Sequence, residues 1–142
     1  MRIFASPRSD PMLCDSAQGM ASLHKALRTF LASSAVEFEA TAKTDGTASP
    51  YERFLAGLRV RKSEGPITLS KAHGQGEWLV LEGSQENLER YASYFHFPQD
   101  TEDGHHHPET CDVPGYMSKT SLNLIIEVDS TFDGEMSDRA DP

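Results

Sequence analysis

The sequence predicts an α+β two-layer sandwich, with a mixed or mostly antiparallel sheet carrying two helices on one face. Three observations lead there. Two segments place apolar residues along one helical stripe, four others alternate apolar with polar residues or form short apolar runs between turns, and the order hints at a weak internal β-α-β duplication. At 142 residues the chain is long enough to bury about two-thirds of the surface its unfolded form exposes, so one domain over residues 1–130 is expected.

Ile3 and Phe4 open a short first strand, which Pro7, Ser9, Asp10 and Pro11 interrupt. A helix over residues 17–31 is the first well-marked element, because Met20, Leu23, Leu27, Phe30 and Leu31 share one stripe while Lys25 and Arg28 fall outside it. Asp15 or Ser16 caps its start, and Ser33 and Ser34 mark its end. His24 lies beside the stripe, as a boundary residue does. Residues 36–43 alternate strictly, with Val36, Phe38, Ala40 and Ala42 on one face and Glu37, Glu39, Thr41 and Lys43 on the other. Asp45-Gly46 turns the chain, and Phe54, Ala56, Leu58 and Val60 then alternate with a face bearing Arg59 and Arg61. Pairing these arginines beside Glu37 and Glu39 sets opposite charges across a ladder, a structural role preferred here to anion binding.

Gly65-Pro66 breaks the chain before a hairpin of Ile67 to Ser70 with Trp78 to Leu81, turned by residues 71–76. Gly83 permits a tight turn and Ser84 caps the second helix, with Asn87 replacing the acid of a full capping box. Leu88, Tyr91, Ala92 and Phe95 form its buried face. Residues 98–116 read as a long polar loop. Leu122, Leu124, Ile126 and Val128 mark a last strand, apolar enough on both faces for a central position. The remainder, residues 131–142, reads as a mobile acidic tail. Matching Leu23 to Leu88 and Val60 to Val128 outlines the duplication, with an offset that drifts from 65 to 68 residues (88 − 23 = 65; 128 − 60 = 68).

Net charge is −9, and its distribution is uneven: residues 1–81 carry 10 basic and 8 acidic side chains, residues 82–142 carry 3 and 14. Such a balance disfavours direct binding of nucleic acid. Two cysteines, Cys14 and Cys111, suggest ordinary thiols in a reducing compartment. No apolar run approaches the roughly 18 residues of a membrane span and no signal-peptide core is present, so a cytoplasmic protein without membrane contact is expected.

His105, His106, His107 and Glu109 are the most conspicuous chemical group. Imidazoles and a carboxylate suit zinc or nickel, but adjacent histidines on one loop do not converge on one ion, and a fourth ligand from His73, His96 or Cys111 would be required. A Cys111–histidine nucleophilic pair lacks a glycine-rich oxyanion signature. The expectation is therefore no enzyme, no cofactor and no metal. The alternative is a small metal-binding protein or enzyme centred on the His-rich loop 104–111.

Residues 67–128 combine a lead strand, the segment Leu81-Glu-Gly-Ser-Gln-Glu-Asn-Leu-Glu-Arg-Tyr-Ala92, the His-rich Gly104 to Glu109, and Ser121-Leu-Asn-Leu-Ile-Ile-Glu-Val128. In this combination the chain resembles immunity protein family 32 of bacterial polymorphic toxin systems. The likeness covers under half of the chain, and the first 65 residues have no counterpart in it. It implies a small cytoplasmic protein that binds and neutralises a cognate toxin domain without catalysis. The polar loop, through Glu102, Asp103, His105, His106, His107 and Glu109, is the expected contact region. A nuclease toxin, whose nucleic-acid groove must be positive, suits the acidic second half.

Overall fold

Pro7 and Arg8 close a hairpin instead of ending a strand. In the computed structural model, which describes residues 1–131, β1 (Arg2–Ser6) pairs antiparallel with β2 (Ser9–Asp15), and Ile3 faces Leu13, both fully buried. Pro11 is tolerated because the register slips between Phe4 and Ser6, so Asp10 and Pro11 together oppose Ala5 in a bulge. Helix α1 (Ala17–Leu31) follows, with the Ser16 hydroxyl accepting from the Gly19 amide at 3.1 Å and the expected five residues buried.

Strands β3 (Glu37–Thr41), β4 (Arg53–Phe54), β5 (Gly57–Lys62), β6 (Thr68–Gly74) and β7 (Gly76–Gly83) come next. The predicted continuous strand over 54–60 is broken at Leu55 and Ala56, where the chain passes from one sheet to another. The Leu55 amide donates to Ile3 in one sheet and the Ala56 amide to Glu77 in the other. This handover divides the expected single sheet into two mixed sheets, ordered β4-β1-β2-β9-β8 and β3-β5-β7-β6. A two-pronged Arg53–Glu77 pair, at 2.6 and 3.1 Å, clamps them together, and the guanidinium holds the Glu77 carboxyl below its usual range. Val36, placed inward by alternation, lies before β3 and is 66% exposed.

The Ser84 hydroxyl caps α2 (Gln85–Ala92), and a 3-10 turn (Ser93–Phe95) carries Phe95 into the core. The polar segment after it is not wholly loop: Asp103–His106 form β8, antiparallel to β9 (Ile125–Asp129). β9 is an interior strand of its sheet, between β2 and the end strand β8, but shorter than expected. Residues before it run along β6 instead, with the Ser118 amide donating to Ile67 and the Leu122 amide to Leu69, and so cover that strand's edge. Helix α1 lies against β2 and β9, α2 against β7, and the helices against each other around one core. The proposed tail, apart from Thr131, lies outside the described residues.

The internal repeat is clearer in three dimensions than in sequence. The first half runs β1, β2, α1, β3, β5 and the second β6, β7, α2, β8, β9, and each half's last antiparallel pair joins the other half's hairpin through one parallel pairing. The N-caps Ser16 and Ser84 are 68 residues apart (84 − 16 = 68), and the same spacing relates the buried pairs Met20 and Leu88, Leu23 and Tyr91, Leu27 and Phe95, Leu58 and Ile126, Val60 and Val128. Leu88 therefore corresponds to Met20 and not to Leu23, which removes the apparent drift.

On the outward face of β3 and β5, Arg59 meets Glu39 at 2.6 Å and Arg61 meets Glu37 at 3.1 Å, the ladder expected from alternation. Gly57 ends this ladder because a Cβ there would run into the Ala40 carbonyl and the Trp78 ring. Since the carbonyl belongs to a paired strand and cannot give way, Gly57→Ala is expected to cost about 3 kcal/mol in urea unfolding. A variant as stable as the parent would contradict this close approach.

Candidate functional site

Alternation along β8 decides where the predicted contact residues point. Asp103 pairs with Asp129 and His105 with Glu127 on the outward face, while Gly104 and His106 lie opposite the fully buried Val128 and Ile126. Glu102, Asp103 and His105 are exposed. His106 is half-buried and held from within: its Nδ1 lies 2.8 Å from the Tyr94 carbonyl, and its ring stacks on Phe97 at 4.1 Å and 8°. It is a structural pin between the sheet and the end of the second helix. His107 and Glu109 are half-buried, with Nδ1 3.5 Å from Oε1, so they form an ion pair only when the imidazole is protonated.

β8 is the end strand of its sheet, and its one acid, Asp103, like Glu102 before it and Asp129 beside it, has no ion-pair partner among the described residues. Residues 97–131 carry seven acidic side chains and one lysine, Lys119. On the same outward face, Phe54, Phe4, Met12 and Ile125 are successive partners across four strands, forming a half-buried apolar row beside the acidic edge. This arrangement suits docking of a basic surface better than bond-making chemistry.

Beneath the segment, Tyr91 Oη, Glu109 Oε2 and Tyr116 Oη are buried without a hydrogen-bond partner among the described residues. Burial, followed by the nearby Tyr116 and Glu109, raises the Tyr91 phenol well above its ordinary value; Tyr116 is raised mainly by its own burial. Sequence reasoning treated Tyr91 as core and gave Tyr116 no role. Among the described residues, no group of three or more His, Cys, Asp or Glu is placed to hold a metal ion, and His106 faces away from His105 and His107.

Both cysteines are free. Cys14 is buried under Glu127, and its thiol is pushed up to about 12, first by burial and then by the charges of Glu127 and Asp129. Iodoacetamide at pH 8 should therefore alkylate the half-buried Cys111 in the folded protein and reach Cys14 only in denaturant. Equal labelling of both in native buffer would contradict this placement.

A concavity absent from the sequence reading opens between α1 and α2. His24, Arg28, Leu31, Ala32, Glu89, Ala92, Ser93 and His96 line about 590 Å³. His24 and His96 face each other with ring centroids 5.3 Å apart. Burial, then His96 and Arg28, keeps the His24 imidazole below its ordinary value. Among the described residues, no helix is long and apolar enough to cross a membrane. No family model, curated protein or solved structure matches the chain.

Proposed function

We propose that this protein is a non-catalytic immunity-type inhibitor that binds and neutralises a cognate bacterial toxin domain in the cytoplasm. The observation that carries the reading is the row of unneutralised acids at the β8 edge, with Glu102, Asp103 and His105 exposed and Asp129 beside them. The resemblance of residues 67–128 to immunity protein family 32 supplies the class of partner. A concentrated negative field speeds encounter with a basic protein, and a nuclease toxin is basic where it grips its substrate. The neighbouring apolar row gives such a partner a dry centre inside a charged rim. Contact passes through Glu102, Asp103, His105 and the rims of His107 and Glu109, while His106 supports them from inside.

Co-production with a toxin domain chosen from the adjoining genes tests this reading. Growth should be restored by the inhibitor and by its His106→Gln variant to the extent that the variant remains folded. Continued toxicity in the presence of abundant, folded inhibitor would defeat the assignment.

A further inference from the structure

We propose that the groove between α1 and α2 is a binding site for a small organic oxyanion, its charged head held by His24, Arg28 and His96 and its apolar body resting on Leu31 and Ala92. The geometry comes from helix periodicity. Arg28 is one turn beyond His24 on the same face of α1, and His96, just past the second helix, closes the opposite wall. Three nitrogen-bearing side chains therefore converge from two elements on one volume. At about 590 Å³ the groove falls within the usual range for small-molecule sites.

The charges of the groove are what distinguish it. Arg2, Arg53, Arg59, Arg61 and Arg90 each meet a carboxylate, whereas Arg28, like the hairpin-turn residue Arg8, has no acidic partner among the described residues. Lys25, also without one, borders an adjoining hollow with His24, Arg28 and Thr29. Within a chain of net charge −9 this is a local concentration of positive charge. Glu89 is the one acid in the lining, and the Gln85 amide already donates to it at 2.8 Å.

The C-terminal carbonyls of α1 would oppose an anion, but they are engaged. Arg28 accepts from the Ala32 amide, Phe30 from the Ser33 amide and hydroxyl, and Leu31 from the Gln85 side-chain amide, while just past the helix the Ser33 carbonyl accepts from Lys62. Glu89 and the overall negative charge exclude a polyanion, which leaves a small ligand with one carboxylate or phosphate. His24 faces His96 and Glu89 across the groove and Arg28 and Lys25 on its own helix. A bound anion offsets the repulsion from His96 and Arg28, so binding takes up a proton and strengthens as pH falls through the histidine range.

Histidine side-chain NMR of the full chain, titrated with phenyl phosphate in one arm and benzoate in another, tests the proposal. Sodium chloride at matched ionic strength is the control. The His24 and His96 signals should shift saturably with at least one probe, and His24 should titrate at higher pH in its presence; the stronger arm identifies the head group. Arg28→Gln, a change at an exposed position, should weaken binding roughly tenfold, while Lys119→Gln should not change it. Shifts no larger than those with chloride in both arms, or undiminished binding by Arg28→Gln, would overturn the site.

Discussion

Replacing Ile126 or Leu88 by alanine is expected to remove about 2–5 kcal/mol of stability in each case, a large part of what a domain of this size possesses. Ile126 is fully buried on the interior strand β9, between Leu13 of β2 and His106 of β8, so its loss opens a cavity where three strands meet. Leu88 is the inward residue of α2 in the shared core and is 1% exposed. The two residues are on different elements of the second ββαββ unit, yet their side chains enter one cluster that also holds Met20 and Leu58, their counterparts in the first. Urea midpoints should fall in both variants. Unchanged midpoints would mean that the halves do not share the core described above.

Most helical structure was legible because it depends on local signals. Ser16 and Ser84 cap where expected, and each stripe is buried as its spacing requires. The β3–β5 charge ladder was legible for a similar reason: strict alternation fixed both faces before the partner was known. β2 was missed because Pro11 reads as a breaker, and only the bulge opposite Ala5 makes it acceptable. Division into two sheets depends on backbone bonds from Leu55 and Ala56 to strands far apart in sequence, and no local pattern encodes them. At the candidate site, sequence identified the acidic segment but treated it as a loop. The inward turn of His106 follows from its pairing with Ile126, and the meeting of His24 with His96 from the packing of two helices.

Reversing Asp100, Glu102 and Asp103 to lysine is expected to slow association with a basic toxin domain by roughly 10- to 100-fold at low salt, with little change in thermal stability. All three side chains are exposed, and none forms an ion pair among the described residues. Glu109 is unsuitable for reversal although it was among the expected contacts, because one of its oxygens is buried and a lysine there would disturb the packing. The effect should reside in the association rate, since rim charges steer encounter more than they hold the complex. Added salt should reduce the rate for the parent and bring the two proteins together, as screening shortens the reach of the acidic edge to about 8 Å near physiological ionic strength.

The association rate of the parent and the reversed protein with a toxin domain of the proposed class, followed from low to high salt, tests the role of the acidic edge most directly. The acidic-edge account predicts a fast, steeply salt-dependent rate for the parent and a slow, nearly flat or rising one for the variant, converging at high salt. Equal rates at every salt concentration, or no association by the parent, would contradict it.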